Sequence, residues 1–322
     1  MRVGFDISPL VQTRAGTARH VRGLLTELRG RPGVQLELLS FGGPGRISSV
    51  ARDAGWYPLG LAHRARRFDV LHCSTFRGPV HARARVVVTV HDLALLRYPE
   101  AFPPWHRRYG RGALQRVLAA ADAIVAVSEF TKAEVVELLD VPPERVRVVP
   151  NGIDPVFLPD GPSASGDYVL TVATLEPRKN LARAVEAARI AGVELRVVGA
   201  RGWGGVETPG WLGEVPDAQL AALYRGARCL LYPSLYEGFG LPVAEAMASG
   251  TPVVTSRGTA MEEVVGDAAV LADPLDARAL AEGISEAVAR RGELALRGLE
   301  RSRDFTWSRA ADALEGLWWE LA

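Results

Sequence analysis

The stretch Cys229–Ser256 reads CLLYPSLYEGFGLPVAEAMASGTPVVTS. Cys229 to Tyr232 is a short apolar run closed by Pro233 and Ser234, the pattern of a buried strand. Pro242 stands where a helix would begin, a position at which its missing N–H costs nothing. Gly250 supplies a helix stop, and Thr251 to Thr255 reads as the next strand. Strand, loop, short helix and strand make one turn of a parallel sheet, so the fold class is α/β.

The loop of this unit sets Glu237, Gly238, Phe239 and Gly240 at the carboxyl end of the strand, where open α/β sheets hold ligands. The two glycines let backbone approach a ligand closely, and the N–H groups from Phe239 to Leu241 at the helix start attract an anion. Glu237 and Glu245 suit a hydroxyl-rich ligand, because a carboxylate accepts several hydrogen bonds from a sugar or ribose. Taken singly, Glu245 could equally complement the helix dipole and the glycines could merely turn the chain.

A second strand-to-helix loop lies upstream. Tyr168 to Ala173 reads as a strand, TLEPRKN follows at 174–180, and a helix runs from Leu181 to Ala191. Arg178 and Lys179 thus occupy the position where α/β folds hold phosphate. Of the 38 basic residues only Lys132 and Lys179 are lysine. Lys132 fits a solvated helix face, whereas a lysine kept at 179 suits a site needing a compact point charge. Strand patterns recur at 194–198 and, earlier in the chain, at 3–7, 34–41, 69–72, 85–90, 123–127 and 146–149. The run at 85–90 is β-branched and ends in His91, which the parallel-sheet pattern points toward the ligand crevice. Helices are expected at 17–28, 103–121, 217–225, 277–290, 293–301 and 308–321, while 42–67, rich in Gly, Pro and Arg, shows no clear period. The last helix carries Ala310, Leu314, Leu317, Trp318 and Leu321 on one face. The Pro-, Gly- and Ser-bearing segment 159–166 reads as an interdomain linker.

The strings EGFGLP, AEAMA and GTPVV, in register, resemble the E-x7-E signature of retaining glycosyltransferases of family 4, which use nucleotide-sugar donors. The likeness extends over nearly the whole chain, strongest over 168–256 and weakest over 42–67. It implies a GT-B architecture: two Rossmann-like domains facing across a cleft, with a C-terminal helix crossing back to the first. The expected domains are 1–157 for the acceptor, 158–305 for the nucleotide sugar, and the helix 306–322. The resemblance further implies that Arg178 and Lys179 hold the donor diphosphate, Glu237 the sugar hydroxyls and Glu245 the ribose. His91 would contact the reacting sugar, and Gly213 to Asp217, with Val215, would lie near the base. Family members carry a glycine-rich turn after the first strand, of which Ala15-Gly16-Thr17 keeps Gly16 alone. The catalytic set implied is His91, Glu237, Arg178 and Lys179, and the donor set adds Gly16, Val215, Gly238 to Leu241 and Glu245. No Asp-x-Asp stands ready for a metal, and no cofactor is implied. HDLALLRYPEAFP, VSEFTKAEV and LEPRKNL resemble the mannosyltransferase-type members, favouring GDP-mannose, with UDP-glucose and related UDP-sugars open. The acceptor would be a glycan, a lipid-linked sugar or a small molecule.

Other classes fit less well. The glycines at 199, 202, 204 and 205 do not fit G-x-G-x-x-G, which speaks against a nicotinamide cofactor. Neither lysine has the setting of a pyridoxal-binding phosphorylase lysine. A catalytically idle sugar-nucleotide-binding protein would be marked by loss of Glu237, Lys179 or His91, and all three are present. A UDP-sugar-dependent glucosyl- or N-acetylhexosaminyltransferase is the alternative within the family.

With 322 residues the chain has material for about two cores. No apolar run approaches the roughly 18 residues of a membrane span. MRVGFDISPL has Asp6 inside its apolar stretch and no cleavage site, so a signal peptide is not expected. Cys73 and Cys229 read as reduced core residues, and these features together favour the cytoplasm. Charge is unevenly spread. Residues 1–157 carry 22 Lys and Arg against 14 Asp and Glu, net +8, and residues 158–322 carry 16 against 23, net −7. The basic half, and the helix with Trp105, Arg107, Arg108, Tyr109, Arg111 and Arg116, suit either solvent or peripheral contact with an anionic membrane. No nucleic-acid partner is expected.

Overall fold

The structure, a computed structural model, describes residues 1–12, 16–43, 45–102, 104–202 and 208–322, with the side chains of residues 46, 101 and 104–109 left out. Expectations at Ala15, Pro103, Gly204, Gly205 and the side chains of Trp105, Arg107, Arg108 and Tyr109 lie outside the described residues. The chain divides into two compact units, Met1–Gly152 with Trp307–Ala322, and Ile153–Thr306.

The first unit is built on six parallel strands: β1 (Arg2–Asp6), β2 (Gln35–Leu39), β3 (Val70–Cys73), β4 (Arg85–Val90), β5 (Ala123–Ala126) and β6 (Val146–Val148). They lie in the order β2-β1-β3-β4-β5-β6, with Val3 beside both Leu36 and Val70. The strands β1, β3, β4 and β5 are buried nearly throughout, which is why they read as unbroken apolar runs. The second unit repeats the plan with β7 (Tyr168–Val172), β8 (Glu194–Val198), β9 (Trp211–Gly213), β10 (Leu230–Tyr232), β11 (Val253–Ser256) and β12 (Val270–Ala272). Their order is β12-β11-β10-β7-β8-β9, again all parallel.

In each sheet the strand order reverses once. The reversal falls between β1 and β3 in the first unit and between β7 and β10 in the second. Loops leaving the carboxyl ends of two strands on either side of such a reversal diverge, and the gap they open is where open α/β sheets bind. The loops after β7 and β10 are the two that the sequence marks as chemical.

The C-terminal helix, Trp307–Leu321, groups with the first unit, an assignment its apolar stripe alone left open between the two units. Trp307, Leu314 and Trp318 pack with Phe5, Val21 and Leu24 in one core. Gly23 makes room for this: a Cβ there would fall 2.0 Å from the Trp307 ring. Trp318 Nε1 donates to His72 Nδ1 at 3.2 Å, so a buried indole finds its polar partner.

One expectation needs correction, and two features went unread. The segment 159–166 is no free linker, because Arg225 donates to the carbonyls of Leu158 and Pro162, and Arg196 to that of Ser165. The edge strands β9 and β12 have three residues each, too short to show a period. The stretch 46–67, featureless in sequence, is a run of helical turns including Pro58.

Trp318→Ala should cost the fold about 3–5 kcal/mol, the range for removing a large buried aromatic. Urea unfolding followed by fluorescence would measure it, and a loss under about 1 kcal/mol would show that the C-terminal helix contributes little to the first core.

Candidate active site

The loop after β7 ends in a tight turn, Pro177–Lys179, followed by Asn180 in the left-handed region at φ 57°. Asparagine is among the few non-glycine residues that tolerate this conformation. Its side-chain amide donates to the carbonyls of Pro233 at 3.0 Å and Pro274 at 2.6 Å. Leu235 N donates to Arg178 O at 2.8 Å. These bonds tie the loop after β7 to the loop after β10, across the reversal of the sheet. The second loop ends at Gly240, φ 92°, which leads into the helix Leu241–Ala248. Any side chain there would also press to 2.8 Å from Met261 Cγ.

Glu237 is the centre of this arrangement. Its Oε1 accepts from Lys179 Nζ at 2.5 Å, from Ser234 Oγ at 2.6 Å and from Tyr232 OH at 3.0 Å. Its Oε2 lies 3.2 Å from Arg178 Nη1, which also donates to Tyr236 O at 2.9 Å. Lys179 Nζ further donates to Tyr232 OH at 3.0 Å, so two of its three N–H bonds are committed. Glu176 stands 3.6 Å from Arg178 Nε.

Burial alone would raise the Glu237 carboxyl, but Lys179 and Arg178 outweigh it and bring it down to about 2. Burial lowers the Lys179 ammonium below its ordinary value, against the pull of Glu237. Tyr232 is pushed well up by burial and by Glu237, so it remains a phenol that donates. At neutral pH Glu237 is therefore an acceptor fixed on one oxygen, with Oε2 turned to Arg178 and any hydroxyl that joins it. Glu245, on the helix that follows, is buried and accepts from Tyr224 OH at 3.0 Å. Val215 lies in the loop between β9 and the helix Asp217–Gly226. The turn after β8 packs tightly, since a Cβ on Gly199 would fall 2.1 Å from Ala173 O.

The other expected residues belong to the first unit. His91 follows β4, and its Nε2 lies 2.9 Å from Ser74 O. A carbonyl only accepts, so Nε2 carries the proton and Nδ1 of the neutral ring is left as an acceptor. Burial lowers the His91 pKa, which keeps the ring neutral. The His20 ring stands edge-on to it at 4.7 Å, held by Asn151 Oδ1 at 2.7 Å from Nδ1. Gly16 opens the helix Gly16–Leu28 that follows β1.

The structure thus joins Arg178, Lys179 and Glu237 in one ion-paired cluster, with Gly238 to Leu241 leading from it to the helix bearing Glu245. Sequence reasoning missed Tyr232, Ser234, Asn180, Tyr224 and His20. Tyr232 and Tyr224 had a usable signal, because a tyrosine in a buried run must find a partner for its hydroxyl.

The model of Glycosyltransferase Family 4 matches residues 14–157, and that of Glycosyl transferases group 1 matches residues 161–304. The chain belongs to glycosyltransferase family 4. It is 32% identical, over 94% of its length and 84% of the relative's, to O-antigen chain mannosyltransferase B of Escherichia coli. The fold is GT-B, as in sucrose-phosphate synthase from Thermosynechococcus elongatus, with a TM-score of 0.82, 19% identity, and 100% of this chain and 99% of that one covered. Anabaena HepE in complex with UDP and glucose is similar with a TM-score of 0.74 and 18% identity, over 98% of each chain.

The Glu237 cluster makes the second unit acid-sensitive. A carboxylate held near 2 against an ordinary 4.5 contributes stability fully present above 4.5 and lost as pH falls through about 2. Urea midpoints measured down that range should fall more steeply for the wild type than for Glu237→Gln. Parallel slopes would mean the carboxylate is not held low.

Proposed function

We propose that this glycosyltransferase moves mannose, with retention at the anomeric carbon and without a metal ion, from a nucleotide-diphosphate sugar to a glycan, lipid-linked or small-molecule acceptor. GDP-mannose is the favoured donor, and the reading needs no cofactor. The observation that carries it is the pairing of Arg178 and Lys179 around Glu237 at the reversal of the second sheet.

Arg178 and Lys179 converge on Glu237, with Glu176 3.6 Å from Arg178, and the third Lys179 N–H and the backbone N–H groups from Phe239 to Leu241 would donate to the leaving diphosphate. Glycosidic cleavage places growing negative charge on that diphosphate, and fixed donors stabilise it more than they stabilise the ground state. This is the charge a metal ion would otherwise supply, which supports metal independence. Glu237, ionised and anchored on one oxygen, accepts from sugar hydroxyls, and Glu245, steadied by Tyr224, accepts from the ribose. Val215, Gly16 and the Gly238–Leu241 backbone complete the donor contacts. His91 offers Nδ1 to a hydroxyl of the reacting sugar. Glu237, brought down to about 2 by Lys179 and Arg178, is a weakly basic carboxylate and a poor nucleophile. Retention then fits a front-face route, in which a donor phosphate oxygen accepts the acceptor's proton as the new bond forms.

Mannose rests on likeness to a relative named a mannosyltransferase. A UDP-sugar is the second reading; HepE, described with UDP and glucose, is 18% identical and shares the fold. The acceptor falls to the first unit in this reading. Its 23 Lys and Arg against 16 Asp and Glu, net +7 over residues 1–152 and 307–322, support peripheral contact with an anionic membrane from the cytoplasmic side.

A thermal-shift screen against GDP, UDP, ADP and their sugar conjugates tests the donor, because a ligand raises the melting temperature according to its excess over Kd. A shift with GDP and GDP-mannose alone is expected. A shift confined to uridine nucleotides would move the reading to a UDP-sugar, and no shift at all would return it to an idle protein.

Lys179→Ala should lower kcat/KM by about 2–4 kcal/mol, roughly 30- to 1000-fold, while leaving the fold intact. Chelator should leave the wild-type rate unchanged. Activity of the variant within a few-fold of wild type would refute the phosphate role.

A further inference from the structure

The helical run after β2 packs Tyr57, Leu61 and Ala65 into the core of the first unit but leaves a second apolar face outside. Arg52 is 2% exposed and gives its guanidinium to the carbonyls of Phe41 and Gly43 and to Ser49 Oγ. Ser48 and Ser49 also turn partly inward. Ile47, by contrast, is 88% exposed, Val50 64% and Leu59 70%. Ile47, Val50, Ala51 and Ala54 follow helical spacing and, with Gly55, line an open groove of about 570 Å³. Phe41, 43% exposed, stacks on Trp56 at 5.5 Å beside this run. A helix of a soluble protein normally faces its apolar stripe inward, and an outward stripe marks a contact surface.

The charge around it says what kind of contact. Arg64, Arg66 and Arg67 follow directly and are exposed. Of the acids near them, Glu37 stands 3.9 Å from Arg64, and Asp53 is taken up by Arg77 at 3.1 Å. A second copy of this chain would bring the same basic half, net +8 over residues 1–157, against itself. An anionic bilayer complements both features, because apolar side chains enter the acyl boundary while arginines meet the headgroups. Among the described residues no helix is long and apolar enough to cross a membrane.

We infer that the outward apolar face of residues 46–60, with Phe41 and the arginines at 64, 66 and 67, is the surface by which the first unit sits on an anionic lipid bilayer. This rests on the membrane contact proposed above and names the residues that make it. Arg52 has a positioning role: by anchoring the run through backbone carbonyls, it keeps Ile47 and Val50 outside.

Co-sedimentation with phosphatidylglycerol–phosphatidylethanolamine vesicles, and with phosphatidylcholine vesicles alone, tests the inference. The wild type should sediment with the anionic vesicles and not with the neutral ones. The double variant Ile47→Asp/Val50→Asp should bind them about tenfold more weakly or less, since it puts charge where apolar area must enter lipid. Arg66→Ser/Arg67→Ser should weaken binding and reduce its sensitivity to salt. Donor hydrolysis in solution by all these variants should equal wild type, so failure of the transfer chemistry would show separately. Undiminished vesicle binding by the Ile47/Val50 variant would overturn this surface while leaving a membrane contact elsewhere. No sedimentation of the wild type, or equal sedimentation with neutral vesicles, would overturn the anionic bilayer. Self-association of the wild type without lipid, abolished by the same variant, would assign the face to a protein contact.

Discussion

Lys179 and Glu237 form an ion pair almost out of reach of water, and the second unit's site is arranged around it. Taking two charges out of water costs several kcal/mol per ion, and their attraction often does no better than repay it. The two partners respond unequally. Glu237 sits between two cations and is held low, to about 2, while Lys179 has one close carboxylate and is itself lowered by burial. Positive charge is thus under-compensated at Lys179, which an apolar pair of the same shape could not achieve. A stability argument gives no reason to keep such a pair, whereas the diphosphate proposed to bind here would.

The pair persists because the loops that carry it are stitched together first. Asn180 reaches two carbonyls on other loops, and Leu235 N holds Arg178 O. Tyr232, at the end of β10, donates to Glu237 and accepts from Lys179, so one hydroxyl satisfies both members of the pair. Fixing the carboxylate on three donors lowers the reorganisation needed when a ligand binds, which is how preorganised sites differ from solvated ones.

Much of this was legible in sequence, for a physical reason. The strand, glycine loop and helix that bear Glu237 and Glu245 are contiguous, and Arg178-Lys179 likewise lies between an evident strand and an evident helix. The contacts that give these residues their properties are not local: Lys179 and Glu237 are 58 residues apart. No pattern of apolar spacing encodes which hydroxyl will stand between them, so Tyr232 and Ser234 went unread. The edge strands β9 and β12 escaped because three residues cannot show alternation. The run after β2 escaped for a different reason. Its apolar residues have helical spacing at 47, 50, 51 and 54, but Gly55, Pro58 and Gly60 interrupt it, and a buried arginine contradicts the usual sign of the stripe.

That contradiction bears on how the labour is divided between the units. The second unit, Ile153–Thr306, carries 15 Lys and Arg against 21 Asp and Glu, net −6, yet concentrates two cations where the diphosphate is proposed to sit. The first unit is basic as a whole, and of its six histidines His20, His72 and His91 are buried and kept neutral by desolvation, whereas His63 and His81 are exposed. Its positive charge resides chiefly in its arginines. A permanent, distributed positive surface beside an outward apolar stripe suits a flat anionic partner. A buried, geometrically exact pair suits a single small anion. The two kinds of electrostatics fall in two sheets, and under the reading proposed here one unit would hold to an extended surface without competing for the nucleotide.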